Sequence, residues 1–162
     1  MEIEVLSIKQ LKNVLEKSDR RKLKLIIASS YDNDIDNIED KNKIILRFDD
    51  IAKSGKTSIN KDIAKKISEF TDNIDFDNEK LYVCCDSGIS RSSAIAAAIL
   101  RKYKKDENTI WKNSNFQPNI LVYKTLCKEF NLINFPLRLK YKESINKRAL
   151  KKKIEISRKN SK

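Results

Sequence analysis

The sequence predicts an α/β domain with a mostly parallel central sheet. Short apolar runs typical of buried strands alternate along the chain with segments whose apolar residues recur at helical spacing. The length of 162 residues fits one domain with a tail and is ample for a single hydrophobic core. No internal repeat is visible in the chain. We therefore expect one sheet with helices packed against it.

The N-terminal part is predicted to form a strand, a helix and a second strand. Residues 3–8 are apolar at alternate positions, as in a strand, and Ser7 is a suitable N-cap for a helix over residues 8–17. Residues 23–28 form a nearly continuous apolar run, which is typical of a buried strand.

The next part is predicted to form a loop, a strand and a helix. Residues 31–43 are rich in Asp and Asn and predict a loop or a short broken helix. Residues 43–48 predict another buried strand, and a loop is expected over residues 53–58. Asn60 is a favoured N-cap for a helix over residues 61–71, whose apolar residues share one face.

The remainder of the compact part is predicted to hold one strand and two helices. A strand over residues 80–84 leads through a short loop to a helix over residues 92–104. Residues 106–117 are predicted to be irregular. A helix is expected from Pro118 to Phe130, because proline favours the first helical turn.

Positive charge is concentrated at the C-terminus. The net charge is +12, and 11 Lys or Arg stand against two Glu between Arg138 and Lys162. We therefore predict a compact domain over residues 1–137 and a basic extension over residues 138–162 that is partly helical, over 143–153, or disordered. Such a run is most often a solvated face, and it can also bind an anionic partner such as nucleic acid.

The residue types that are missing restrict the chemistry and the location. The chain has no histidine, so Ser-His-Asp catalysis and papain-like Cys-His sites are excluded. Three cysteines, two of them adjacent, do not form a disulfide framework. No apolar run approaches the roughly 18 residues of a membrane helix, and the N-terminus does not resemble a secretory signal. The expected location is the cytoplasm.

The most informative stretch is residues 82–93. Cys85 stands six residues before Arg91, with Gly88 midway and Ser92 directly after the arginine. Because a predicted strand precedes this stretch and a predicted helix follows it, backbone N–H groups of the loop and the first helical turn point at one anion site. Cys85 would lie beneath the anion as a nucleophile, and Arg91 can hold a phosphate through two parallel hydrogen bonds.

The Cys-x5-Arg-Ser loop between strand and helix resembles that of cysteine-dependent protein tyrosine phosphatases, and Gly-Ile-Ser-Arg-Ser resembles their compact dual-specificity branch. The resemblance is specific over residues 44–101 and fair over 116–130. It implies a three-layer α/β phosphatase-like domain whose loop lies at the carboxyl end of a central strand. It also implies a phosphocysteine intermediate with no metal and no cofactor. One departure is Cys84, which stands where the family usually has histidine.

Roles for the loop residues follow from this pattern. Cys85 attacks phosphorus, and Arg91 binds the phosphate and stabilises the transition state. Ser92 can donate a hydrogen bond to the Cys85 sulfur, and it can equally be a simple helix N-cap. The remaining loop residues are expected to bind the substrate: Asp86, Ser87, Gly88, Ile89 and Ser90.

Hydrolysis also needs a general acid. Phe48-Asp49-Asp50 resembles the aromatic-x-Asp loop of the phosphatase family, which selects Asp50 and leaves Asp49 as the alternative. Both carboxylates could instead be solvated acids at a strand end. Gln117-Pro118-Asn119 resembles the Pro-Asn of dual-specificity phosphatases, so Asn119 is expected to buttress the active-site loop or simply to start a helix.

These features predict hydrolysis of phosphotyrosine, with or without phosphoserine and phosphothreonine, in a phosphorylated protein or a small phosphomonoester. The loop contains no lysine, which argues against an inositol phosphate substrate. One alternative is a non-catalytic module that binds phosphate or nucleic acid, and another is a sulfurtransferase, whose loop also holds a reactive cysteine. The spacing of Cys85 and Arg91 favours the hydrolase. So does the segment Phe48-Asp49-Asp50, which we call the acid loop.

Overall fold

A four-stranded sheet forms the centre of the protein. The computed structural model describes residues 1–17, 23–30, 40–133 and 136–160. The sheet order is β1-β4-β2-β3, with β1 Glu2–Ser7, β2 Leu23–Ser29, β3 Lys43–Arg47 and β4 Lys80–Cys85. All neighbouring strands pair in parallel, which confirms the predicted α/β architecture.

The helices are α1 Ile8–Lys17, α2 Lys61–Asp72, α3 Arg91–Lys102, α4 Asn108–Trp111, α5 Ile120–Glu129 and α6 Pro136–Asn160. The bounds predicted for α1, α2, α3 and α5 agree with these to within two residues. The segment 106–117 was predicted to be irregular but contains α4, because a four-residue helix is too short to show a helical period. The predicted loop over 31–43 falls mostly outside the described residues, and Asp40–Asn42 forms a 3₁₀ turn.

Polar side chains fix the starts of three helices. Ser7 Oγ accepts a hydrogen bond from the backbone of Gln10 at 3.2 Å, and Asn60 Oδ1 accepts one from Ile63 N at 2.9 Å. Asn119 Oδ1 accepts from Val122 N at 3.1 Å, so α5 begins after Asn119 rather than at Pro118. Each contact satisfies a backbone donor that has no partner within its own helix.

The sheet separates two apolar clusters and so forms the middle of three layers. The larger cluster joins the sheet to α2, α3 and α5. The smaller cluster lies between the sheet and α1 and contains Leu6, Leu11, Leu15, Leu23, Leu25, Ile27, Tyr82 and Cys84. Cys85 belongs to the larger cluster, so the two adjacent cysteines of β4 face opposite sides of the sheet.

A tight loop connects β4 to α3 at the carboxyl edge of the sheet. Gly88 in this loop has φ of +70°, and a Cβ added there would lie 2.5 Å from Ser7 N and 2.7 Å from the carbonyl carbon of Leu6. Only glycine fits, both because the backbone is left-handed and because the loop crosses closely over the end of β1. The fold therefore fixes this loop tightly against the sheet.

The first half of α6 is anchored to the domain through buried polar contacts. The Glu107 carboxylate lies 2.6 Å from Arg138 Nη2 and 3.2 Å from Lys142 Nζ. Asn146 Nδ2 donates to the backbone carbonyl of Phe116 at 2.8 Å. The predicted boundary after residue 137 stays a prediction. Within the described part of the chain, no helix combines the length and the apolar character needed to cross a bilayer.

Candidate active site

Cys85 ends β4 beneath the loop and is almost completely buried. Its Sγ lies 3.0 Å from Oγ of Ser92. Burial alone would raise the pKa of the thiol, but hydrogen bonds from the Ser92 hydroxyl and from the amides of Ser92, Gly88 and Ile89 outweigh it and lower the pKa below the usual thiol value. The site therefore favours the thiolate form of Cys85 without a histidine.

Cys84 has the opposite character. It is fully buried on the α1 side of the sheet, and burial followed by the neighbouring Cys85 charge raises the pKa of its thiol. A thiol held neutral in an apolar cluster is a poor nucleophile. The two adjacent cysteines thus differ in both orientation and ionisation.

Arg91 begins α3 and its side chain is 5% exposed. One end of its guanidinium is fixed, because Nη1 donates to the carbonyl of Phe48 at 2.7 Å and to Ser30 Oγ at 3.1 Å. Its Nε is the one buried side-chain polar atom in the described residues that lacks a hydrogen-bond partner. A buried donor without a partner is costly, so an anion in the loop would gain from this N–H group.

Asp86 follows the cysteine and forms an ion pair with Nη2 of Arg91. Its other carboxylate oxygen accepts a hydrogen bond from Ser29 Oγ at 2.6 Å. Burial would raise the pKa of this carboxyl, but Ser29 and Arg91 outweigh it and lower the pKa, so Asp86 is ionised at neutral pH. Its side chain repels phosphate, and only its backbone N–H is suited to the substrate-binding role expected from the sequence.

The other loop residues differ in how they are held. The side chain of Ser87 is exposed, and Ile89 is 40% exposed. Ser90 Oγ donates to Asp50 at 2.8 Å, and the backbone of Gln117 donates to the Ile89 carbonyl at 3.1 Å. The loop is therefore supported from both the acid loop and the segment before α5.

Asp50 and Asn119 are 69 positions apart in the sequence and in direct contact. Asn119 Nδ2 donates to Asp50 Oδ1 at 2.7 Å and to the Ile51 carbonyl at 3.0 Å. The Asn119 backbone N–H also donates to the Ser90 carbonyl at 3.3 Å. Asn119 therefore joins the acid loop to the loop between Cys85 and Arg91, which we call the cysteine loop. This is the geometry that a buttressing residue needs.

Asp49 approaches the arginine from the other side. Hydrogen bonds from Thr57 and Ser30, together with the Arg91 charge, lower the pKa of its carboxyl. Ser30 also accepts from Arg91, so the two residues share a partner. The structure brings both candidate acids to the rim of the loop, Asp49 beside Arg91 and Asp50 beside Ser90.

An open cavity of about 670 Å³ adjoins Asp50. The lining residues come from several segments. These are the acid loop and the residues just after it, the end of the cysteine loop, α4, the segment that leads into α5, the start of α5, and α6. The residues are Asp50, Ala52, Ser90, Trp111, Gln117, Pro118, Asn119, Ile120, Glu143, Asn146, Lys147 and Leu150. The basic C-terminal segment therefore reaches the neighbourhood of the predicted acid.

Three residues around the arginine were not identified from the sequence: Ser29, Ser30 and Phe48. They lie at or just beyond the carboxyl ends of β2 and β3, where ligands bind in open parallel sheets. Two adjacent serines directly after an apolar run were the available signal. Phe48 accepts through its backbone carbonyl. Because every residue has this group, the residue type gives no sign of the contact.

Comparisons with known proteins give one family match. A family described as the Rit1 DUSP-like domain matches residues 42–159, a range that contains both acid candidates, the cysteine loop, Asn119 and nearly all of α6. No curated protein sequence matches. The solved structure titled "Crystal Structure of PTPMT1 in complex with PI(5)P" is similar over 93% of this chain and 94% of that chain, with 13% sequence identity and a TM-score of 0.42. That likeness is too low to bear on activity.

Proposed function

This chain belongs to the Rit1 DUSP-like domain family, and from that membership and the geometry of the loop we propose that it is a cysteine-dependent phosphomonoester hydrolase. The observation that carries the proposal is the combination of a Cys85 thiol with a lowered pKa and a buried Arg91 whose Nε lacks a partner. Cys85 would be the nucleophile and Arg91 the anion-binding donor, and five residues lie between them. This arrangement suits attack on a bound phosphate.

In the first step the Cys85 thiolate attacks phosphorus. The sulfur–phosphorus bond forms as the bond from phosphorus to the ester oxygen breaks, and the leaving oxygen takes a proton from a carboxylic acid. Arg91 and the loop amides stabilise the charge on the equatorial oxygens. The product that stays on the enzyme is a phosphocysteine.

In the second step water attacks the phosphocysteine. The carboxylate left by the first step accepts a proton from water, the sulfur–phosphorus bond breaks, and inorganic phosphate leaves with the thiolate restored. Ser92 assists because its hydroxyl, 3.0 Å from the sulfur, can donate to the departing thiolate. No electrons are transferred, so the cycle needs no redox partner.

We assign the acid to Asp50 rather than Asp49. Thr57, Ser30 and the charge of Arg91 lower the pKa of Asp49, which disfavours its protonated form. Asp50 is exposed, lies beside Ser90 and faces the open cavity, where a leaving group can reach it. An acid that must carry a proton is better placed away from the arginine.

We propose a phosphorylated protein side chain or a small phosphomonoester as the substrate, with phosphotyrosine the first candidate. The resemblance of the loop to the dual-specificity branch supports this choice. The absence of lysine from the loop supports a substrate without a phosphorylated inositol ring. The proposed site of action is the cytoplasm.

A second candidate is a non-catalytic module that binds phosphate groups of nucleic acid. The domain that defines the matching family occurs in tRNA-modifying enzymes, which makes RNA a candidate partner. The specific observation in its favour is α6, which is rich in lysine and arginine and can contact a phosphate backbone.

Turnover of an aryl phosphate by the purified full chain tests the proposal. We expect steady release of phosphate, and we expect Arg91→Lys to reduce kcat/KM strongly, since lysine supplies charge without the planar fork. Lys112→Arg, on an exposed turn, is the matched control. Phosphate binding without turnover by the folded wild-type protein would favour the second candidate.

A further inference from the structure

We propose that α6 forms a subsite for a second phosphate carried by the leaving group of the substrate. This inference rests on the proposed function, because it assigns the leaving group to the side of Asp50. Asp50 would protonate the ester oxygen, so the leaving group must lie next to it. The cavity of about 670 Å³ lies there, with Glu143, Asn146 and Lys147 of α6 on its wall.

This wall is fixed rather than adjustable. Arg138 and Lys142 of α6 bind the buried Glu107, and Lys142 also donates to Asn108 Oδ1 at 2.6 Å. Asn146, which lines the cavity, donates to the Phe116 carbonyl at 2.8 Å. These contacts hold one face of α6 against the domain. The backbone of the adjoining face is therefore fixed relative to Asp50.

The adjoining face of α6 is cationic. A shallow groove of about 430 Å³ shares Glu143 and Lys147 with the cavity and continues along the helix. Its other lining residues are Lys140, Ser144, Arg148 and Lys151. Among the described residues, Lys147, Arg148 and Lys151 have no ion-pair partner, whereas Arg138 and Lys142 share the carboxylate of Glu107. The unneutralised cations of this half of the helix thus lie on the path that leads away from Asp50.

A second phosphate is the ligand chemistry that fits this path. Three lysines and one arginine line the groove against one carboxylate, that of Glu143, and a phosphate presents enough oxygen atoms to accept from more than one of the cations. The cavity between Asp50 and the groove is lined in part by Ala52, Ile120 and Leu150. These apolar side chains suit the uncharged body of a leaving group. A nucleoside bisphosphate and the phosphorylated end of a nucleic acid strand both have this arrangement.

Binding to the Cys85→Ser protein tests the inference without requiring turnover. Adenosine 3′,5′-bisphosphate is compared with adenosine 5′-monophosphate by calorimetry, and we expect the bisphosphate to bind about tenfold more tightly, as one additional charge-assisted contact predicts. Lys147→Ala in the same background should remove most of this difference. Lys152→Ala is the matched control, because Lys152 is an exposed lysine of α6 that does not line the groove.

The outcomes separate the inference from the proposed function. Equal affinities for the two nucleotides, or a preference that Lys147→Ala leaves intact, would overturn the subsite even if aryl phosphates are hydrolysed. A preference abolished by Lys147→Ala supports the subsite even if no substrate turns over. A 5′-phosphorylated trinucleotide distinguishes the two sources of the second phosphate. Binding that is tighter than that of the bisphosphate and falls more steeply with salt indicates the end of a nucleic acid strand. Weaker binding than that of the bisphosphate indicates a small molecule.

Discussion

Asp86 and Arg91 form an ion pair within the loop that we propose binds the substrate phosphate. The carboxylate occupies Nη2 of the arginine, while Phe48 and Ser30 hold Nη1. An entering phosphate must therefore compete with Asp86 for one donor, and it meets a negative charge beside the site. The ion pair gives Nη2 a partner from within the loop, while Nε has none, and it lowers the affinity of the loop for any anion.

Replacing this carboxylate should tighten phosphate binding. We expect Asp86→Asn to bind inorganic phosphate about tenfold more tightly, because the substitution removes a like charge and weakens competition for Arg91. The affinity is measured by calorimetry in the Cys85→Ser background, with the exposed Asp77→Asn as control. Weaker binding by Asp86→Asn would mean that the carboxylate positions Arg91 rather than competing for it.

The hydroxyl of Ser92 should set the pH range in which Cys85 is reactive. Its hydrogen bond lowers the pKa of the thiol, so Ser92→Ala should raise that pKa and move the acid limb of kcat/KM to higher pH. The rate of Cys85 alkylation against pH should shift in the same direction. Ser114→Ala, on a partly exposed turn, serves as the control. Unchanged profiles for Ser92→Ala would assign the low pKa to the loop amides alone.

Asp50 should matter most when the leaving group is poor. Asp50→Asn is expected to lower kcat by roughly 10²–10⁴ for an alkyl phosphate and far less for a nitrophenyl ester, which leaves without protonation. Steady-state kinetics with a series of leaving groups gives this dependence. The same pattern in Asp49→Asn, with Asp50→Asn nearly unaffected, would exchange the two roles.

The buried Glu107 should make α6 docking sensitive to acid. Burial would raise the pKa of its carboxyl, but Tyr123, Arg138 and Lys142 lower it below the ordinary value of 4.5. A carboxyl with a lowered pKa contributes stability that is present above 4.5 and is lost as the pH falls through the folded-state value. Glu107 therefore stabilises the fold at neutral pH and ceases to do so in acid.

Glu107→Gln tests this contribution. It leaves Arg138 and Lys142 without a counter-charge and should lower the free energy of unfolding by about 3 kcal/mol at neutral pH. The difference between variant and wild type should shrink on acidification below about pH 4.5, as measured by urea unfolding. A difference that is small at pH 7, or that does not change with pH, would contradict this role.

Local sequence order predicted the cysteine loop, because Cys85, Gly88, Arg91 and Ser92 are neighbours in the chain and a strand and a helix flank them. The sheet was equally predictable, since its strands are apolar runs. The ion pair of Asp86 was not, because an acidic loop residue carries no signal of what it contacts.

Contacts between distant segments depend on packing, and sequence spacing does not encode them. Asn119 reaches Asp50 across 69 positions, and the Pro-Asn resemblance suggested only a buttressing role. The docking of α6 was missed for a different reason. Its charged residues predicted a solvated tail, although Lys142 and Glu107 are both buried and neutralise each other.

The most direct measurement is the identification of the phosphorylated residue during turnover. Wild-type protein is mixed with an aryl phosphate, quenched rapidly in acid and analysed by peptide mass spectrometry. We predict phosphate on Cys85, no turnover but retained phosphate binding in Cys85→Ser, and substantial activity in Cys84→Ser. Turnover by Cys85→Ser, or an equal loss of activity in the two cysteine variants, would contradict the assignment of Cys85 as the nucleophile.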